Sequence, residues 1–225
     1  MNKYRINHIF YSLQGEGYNT GRAAVFVRFA GCNLHCPFCD TKFDTYTEMS
    51  TEEIVTTILS VIGSPANTQQ TIDGFPSKKK PLIVLTGGEP TLQADERLVE
   101  SLHDLFFEVA VESNGTMPPP DNIDHLTLSP KSPQFCLSLG KPYTKELKLV
   151  FTSSAETDLF LQRLNTSHDI DKAVFFDELV GCFLQPCDTG DSMRNADIVS
   201  DCVDYIKRHP HWRLSLQTHK LIGIE

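Results

Sequence analysis

Cys32, Cys36 and Cys39 stand in the array Gly31-Cys32-Asn33-Leu34-His35-Cys36-Pro37-Phe38-Cys39-Asp40-Thr41, directly after an apolar run, Ala23 to Ala30, that reads as a buried strand. No other stretch constrains the chain as tightly. Three thiolates on one short loop can hold three corners of a [4Fe–4S] cube and leave the fourth iron without a protein ligand. An electron-transfer cluster normally closes that corner with a fourth cysteine. An open corner can take a substrate or cofactor, as catalytic metal sites keep one position free. Structural zinc is the competing use, with His35 as a recruited fourth ligand, but zinc sites usually pair two C-x-x-C knuckles. Three unrelated buried thiols would be a coincidence, since three of the chain's seven cysteines fall within this one loop.

The rest of the chain reads as strands alternating with helices, which argues for parallel βα units. Ser50 and Glu53 have capping-box spacing. Ile54, Val55, Ile58, Leu59 and Ile62 then share a helix face that Gly63 ends. Strands are expected at 82–86, 108–112, 125–129, 146–151, 183–185 and 212–216, and helices at about 95–106, 154–164 and 191–208. Residues 1–21 read as a lead-in with a short apolar piece, Ile9 to Leu13. Residues 64–80, rich in Pro, Gln, Ser and Lys, read as a surface insertion in a single domain spanning 1–225. Polar and glycine-rich clusters recur where strands end: Gly87-Gly88-Glu89-Pro90, Glu112-Ser113-Asn114-Gly115, Ser129-Pro130-Lys131, Gln185-Pro186-Cys187-Asp188 and Gln217-Thr218-His219-Lys220. In parallel α/β folds the carboxyl ends of the strands form the ligand face.

Composition narrows the ligand class. The 225 residues carry a net charge of −9, whereas a nucleic-acid binder shows a basic footprint. No run reaches the roughly 18 apolar residues of a membrane span, and the first residues have no signal-peptide core. An odd cysteine count argues against a secreted disulfide framework. The expected location is the cytoplasm, and direct action on RNA or DNA is disfavoured.

Two features invite a partner. Gln14-Gly15-Glu16-Gly17 sets a carboxylate between glycines, as backbone brought close to something or as an ordinary turn. Arg28 in its apolar run needs an anionic partner, unless it emerges at the strand end.

The cysteine loop followed by Gly87-Gly88-Glu89-Pro90 resembles the radical S-adenosylmethionine (SAM) superfamily. The ordered set Gln14-Gly15-Glu16-Gly17, Cys39-Asp40-Thr41, Glu112-Ser113-Asn114-Gly115, Ser129-Pro130-Lys131, Gln185-Pro186 and Thr218-His219-Lys220 is similar to the 7-carboxy-7-deazaguanine synthases. The resemblance implies a reduced, partial (β/α) barrel and a lyase that converts 6-carboxy-5,6,7,8-tetrahydropterin to 7-carboxy-7-deazaguanine and ammonia, through a deoxyadenosyl radical, for queuosine and related deazapurines. It implies a [4Fe–4S] cluster on Cys32, Cys36 and Cys39, SAM and magnesium. Leu13, Gln14, Gly15, Glu16, Arg28, Thr86, Glu112 and His219 would face the pterin, with Arg28 on its carboxylate. Phe38, Cys39, Asp40, Gly88, Ser129, Pro130, Lys131, Gln185, Pro186, Cys187 and Asp188 would line the SAM site. Thr41 would be a magnesium ligand, although a lone hydroxyl needs substrate oxygens and water to complete the shell; read locally, it is a loop-capping hydroxyl. Residues 221–225 would fold back on the substrate. A flavodoxin or ferredoxin type of electron donor and a homodimer are implied as partners. Another small radical SAM enzyme, such as a glycyl-radical enzyme activase, is the alternative. Of the remaining cysteines, Cys202 lies on an apolar helix face, and Cys182 with Cys187 are too few for a second cluster.

Overall fold

A computed structural model describes residues 3–63, 70–72, 75–77, 80–136, 138, 140–167 and 179–225. Its strands are β1 (Tyr4–Leu13), β2 (Ala23–Phe29), β3 (Thr47–Met49), β4 (Gln70–Ile72), β5 (Phe75–Ser77), β6 (Leu82–Gly87), β7 (Val109–Ser113), β8 (His125–Leu128), β9 (Thr144–Phe151), β10 (Gly181–Pro186) and β11 (Trp212–Leu214). The helices are α1 (Thr51–Ile62), α2 (Glu96–His103), α3 (Ser154–Ser167), α4 (Ser192–Arg208) and α5 (Thr218–Ile222). Nine strands form one sheet in the order β11-β10-β9-β8-β7-β6-β2-β1-β3. From β2 to β11 every pairing is parallel, and β1 runs antiparallel to β2 and β3. The expected insertion at 64–80 falls largely outside the described residues; its described pieces, β4 and β5, pair only with each other.

The sheet curls into a partial (β/α) barrel. β1 and β11 lie seven strands apart in the sheet order, which in a flat sheet would separate them by roughly 34 Å. Yet the amide of Gly17, just past β1, donates to the Ser215 hydroxyl, just past β11, at 3.0 Å.

The two faces carry different chemistry. Val25, Val27, Ile83, Leu85, Val109, Val111, Leu147 and Leu149 point outward into the main core, where Ile54 and Ile58 of α1, Leu98 and Leu102 of α2 and Ile198 and Cys202 of α4 cover them. Both halves of the Ser50–Glu53 capping box form at the start of α1. Inward, Ala24, Leu82, Val84 and Ala110, with Phe26 against them, make a small apolar floor. Two residues further along the strands, on the same face, the lumen turns polar: Arg28 pairs in register with Thr86, Glu112 with Thr127, and Thr127 with Glu146. Period-two alternation thus lays hydrocarbon at the bottom of the barrel and a polar row above it.

Three elements differ from the sequence expectation. The lead-in is a ten-residue strand, β1. A register shift between Ile6 and His8 breaks the alternation by which a strand is recognised. β3 is a short, largely exposed edge strand, and α5 is a single turn with no buried residue, so neither carries a burial pattern. No described helix is long and apolar enough to cross a membrane.

Candidate active site

The cysteine loop leaves β2 and is clamped by the glycines that end β6. The Gly88 amide donates to Phe29 O and the Glu89 amide to Gly31 O, both at 2.9 Å. A Cβ on Gly88 would sit 1.9 Å from Gly31 O, and one on Gly87 2.4 Å from Phe29 O. These glycines are required because backbone meets backbone at this point. Glu89 is buried at the cavity wall. Its carboxylate accepts from Thr91 N (3.1 Å), Thr91 Oγ1 (2.6 Å), Ser113 Oγ (2.9 Å) and Asn114 N (2.7 Å). Asn114 in turn donates to Asn33 Oδ1 at 3.1 Å and approaches Cys32 Sγ at 3.8 Å. The β6 and β7 motifs therefore form one network behind the cysteines.

Cys32, Cys36 and Cys39 carry free thiols that are partly or fully exposed, whereas Cys136, Cys182, Cys187 and Cys202 are buried. Burial pushes the Cys36 thiol up, against the opposing pull of the Lys131 charge. Among the described residues no three His, Cys, Asp or Glu side chains converge on a point that one ion could occupy. A cubane does not require this, because each thiolate binds a different iron. Three accessible thiols on one loop, held from behind by backbone, fit three corners of such a cluster.

Two cavities meet above the polar row. One, of about 250 Å³, opens over the loop. Cys32, Cys36, Phe38, Cys39, Asp40, Thr41, Gly88, Ser129, Lys131, Gln185, Pro186, Cys187 and Asp188 line it, residues that the family resemblance assigns to the cluster, to SAM and, for Thr41, to magnesium. The other, of about 430 Å³, is lined by Leu13, Gln14, Gly15, Glu16, Arg28, Thr86, Glu112 and His219, the expected substrate set, with Ile224 and Glu225 beside them. Glu16, Asp40, Thr41, Thr86, Glu112 and Gln217 belong to both. Pro130 departs from its set. It lines a separate pocket of about 170 Å³, which it shares with Phe38 and Lys131.

The glycines around Glu16 close on named partners. A Cβ on Gly15 would lie 2.3 Å from His219 Nδ1, and one on Gly17 2.0 Å from Glu146 Oε1. The loop is stitched to the α5 region by Thr218, which donates from both N and Oγ1 to Gly15 O, and by Gln217, which donates to Glu16 Oε1 at 3.1 Å. Arg28 has no carboxylate partner among the described residues. Its guanidinium lies over the Phe10 ring, 5.2 Å from the centroid, and faces the larger cavity.

The strongest charge contact in the lumen involves a residue the motifs do not mark. Lys148 of β9 bonds Glu16 Oε2 at 2.5 Å and lies 3.9 Å from Glu112 Oε1. Glu112 also accepts from Gln14 Nε2 and Thr86 Oγ1, each at 3.0 Å. Burial alone would raise the Glu16 carboxyl, but the Lys148 charge and hydrogen bond, with Gln217, hold it below the usual range. Burial would likewise lower Lys148, but Glu16, then Glu112 and Glu146, outweigh it and raise its pKa. Lys131 is held low by burial and by the nearby Lys148 charge. Leu147-Lys148-Leu149 sets a cation in an apolar strand, the same signal that singles out Arg28. Glu89 and Gln217 stand inside quoted motifs, but no local pattern gives their partners.

The radical SAM superfamily model matches residues 26–130 of the chain. The 7-carboxy-7-deazaguanine synthase of Bacteroides thetaiotaomicron is 42% identical over 220 residues, spanning 98% of each chain. That of Nitratidesulfovibrio vulgaris is 38% identical over 98% of this chain and 99% of its own. The crystal structure of QueE from Escherichia coli superposes with a TM-score of 0.69 at 25% identity, covering 95% of this chain and 93% of that one. With relatives this similar over nearly its whole length, the chain belongs to the 7-carboxy-7-deazaguanine synthase family of the radical SAM superfamily.

Proposed function

We propose that the protein converts 6-carboxy-5,6,7,8-tetrahydropterin to 7-carboxy-7-deazaguanine and ammonia, in deazapurine biosynthesis. The observation that carries the reading is that the two cavities share Glu16, Thr86 and Glu112 in their walls, so that ligands in the two compartments would lie side by side. Cys32, Cys36 and Cys39 would hold the [4Fe–4S] cluster, which with bound SAM supplies the deoxyadenosyl radical that starts the reaction. Around SAM, Phe38 would flank the adenine, while Gly88 and the segments Ser129–Lys131 and Gln185–Asp188 would supply polar contacts and backbone.

In the larger compartment Arg28 would grip the substrate carboxylate, which a guanidinium fork matches; the lack of a carboxylate partner for it among the described residues supports this role. Gln14, Glu16 and Glu112 would accept from the N–H edge of the aminopyrimidinone. Thr41 lines both compartments. It would contribute to a magnesium shell that substrate oxygens and water complete, and so help hold the pterin in register with the radical source. His219 and residues 221–225 would close the larger compartment. Cys39 is exposed, which favours electron delivery from an external flavodoxin or ferredoxin type of donor. A cytoplasmic homodimer is the assembly we propose.

The test is anaerobic. Reconstituted protein is given SAM, reductant, magnesium and the carboxytetrahydropterin, and products are read by mass spectrometry. Appearance of 7-carboxy-7-deazaguanine is expected. Deoxyadenosine with intact pterin would overturn the substrate assignment and leave another radical SAM reaction, such as glycyl-radical activation.

A further inference from the structure

The lumen holds a cation that neither the cluster nor the substrate carboxylate calls for. Lys148 is buried and lines the smaller cavity over the cysteine loop, from where its ammonium makes its closest contact with Glu16, with Glu112 next. The two carboxylates come from distant parts of the chain, one on the loop after β1 and one on β7. Without a cation between them, two neighbouring carboxylates repel, and a proton shared between them is favoured. That proton would turn an acceptor into a donor. An aminopyrimidinone presents adjacent N–H donors, so a protonated carboxyl would meet it donor to donor.

We propose that Lys148 is a positioning residue that keeps Glu16 and Glu112 together as anionic acceptors, and so selects a substrate with a donor–donor N–H edge. The proposal rests on the pterin reading above and adds a residue to it. The charged groups around the pair are Glu146 beside Lys148 on β9, Lys131 after β8, His219 from α5 and Glu89 behind Lys131. Among the described residues, Lys148 is the one cation within 4 Å of both carboxylates.

The experiment uses reconstituted holoenzyme carrying Lys148→Met or Lys148→Arg. In Lys148→Met the KM for the pterin is expected to rise at least about tenfold, the loss typical of a hydrogen bond to a charged group. The KM for SAM and the cluster absorbance should stay within about twofold of the parent value, against that tenfold. With the cation gone Glu16 loses the charge and hydrogen bond that hold its carboxyl low, so the acid limb of the kcat/KM profile should move up by at least about one pH unit. Lys148→Arg should keep both pterin affinity and the limb. An unchanged pterin KM with an unmoved limb overturns the proposal, as does a rise in the KM for SAM instead. Should Lys148→Met not fold, Lys148→Gln replaces it, with the same expected rise in the pterin KM and the same overturning result. Parent enzyme assayed alongside separates the two readings. If it turns over no pterin, the substrate assignment has failed and the proposal falls with it; if it does and Lys148→Met matches it, only the role of Lys148 has failed.

Discussion

The two ends of the cavity are built by different means. The cofactor end is backbone packed on backbone: Gly87 and Gly88 against Phe29 and Gly31, with Gly115 pressed on Phe135 O, and one buried carboxylate, Glu89, gathering four donors behind them. The substrate end is side chain on side chain: Glu16, Glu112, Gln14 and Thr86 in one polar network that Lys148 joins from the cofactor cavity, with Arg28 turned to the larger cavity. A backbone cradle tolerates little change and serves any member of a superfamily with the same cofactor. A side-chain network can be rewritten one residue at a time, which is where substrate choice within such a fold can reside. The contrast predicts that damage at the first end removes SAM cleavage altogether, and that damage at the second leaves cleavage running while the pterin is mishandled.

The largest effect should come from Glu89→Ala. It strands two hydroxyls and two backbone amides in a buried site, at a cost of about 3 kcal/mol or more. Denaturant unfolding should show that loss, and cluster loading should fall with it. A variant as stable as the parent would mean that water replaces the carboxylate and that the network is not what holds the loop. Gly88→Ala comes next. Its Cβ would meet Gly31 O at 1.9 Å, and overpacking against backbone costs roughly 2 kcal/mol. Gly21→Ala is the control: it meets nothing within 4 Å but has φ +84°, so it should cost only the left-handed penalty of about 1 kcal/mol and leave SAM cleavage intact. Equal SAM cleavage in the two variants would break the contrast from the cofactor side.

From the substrate side, Arg28→Ala should leave the cluster spectrum and deoxyadenosine formation in place. The KM for the pterin should rise by about tenfold to a hundredfold, as for loss of a charge-assisted pair. Normal turnover at low substrate would remove Arg28 from the carboxylate and leave its stacking on Phe10 as its whole role.

The same division explains what could be read from the sequence. The cofactor end was legible because its signals are local: cysteines three and four apart, paired glycines after a strand, a cap before a helix. The parallel strands β6 to β10 were legible as apolar runs, since they are covered on both faces. β1 was hidden by the bulge at Ile6 to His8, which puts Ile6 and Ile9 out of alternation although both are buried. The substrate end was only partly legible. Arg28 stood out against its apolar neighbours, and so should Lys148 have done. What spacing could not reveal is that Lys148 reaches Glu16, 132 positions away, because that meeting exists only once the sheet has curled.

Where the two ends join, Lys220 ties them from outside. Its ammonium bonds Asp40 on the cysteine loop at 2.6 Å and Asp188 after β10 at 3.0 Å. The Gly190 amide, then Lys220 and Asn195, hold the Asp188 carboxyl down to about 2. Burial would raise Asp40, but the Lys220 hydrogen bond and charge prevail and hold it below the usual range. Burial would lower Lys220, and the same two carboxylates raise it instead. The signs agree on one window. Depressed acids contribute above the ordinary carboxylate pKa of about 3.9, and a raised lysine contributes below its ordinary value of about 10.4. The tie is therefore at full strength across about pH 5 to 9 and is lost on the acid side only as the pH falls toward about 2, where Asp188 protonates. All three groups are a third or more exposed, so the contribution is small, under about 1 kcal/mol. Lys220→Met should speed amide hydrogen exchange in Thr218–Ile222 several-fold, and in both proteins protection, corrected for intrinsic exchange, should stay flat across that window. Exchange unchanged in Lys220→Met would mean that Thr218 on Gly15 O and Gln217 on Glu16 hold this segment in place of Lys220. The segment would then belong to the substrate end alone and would no longer join the two.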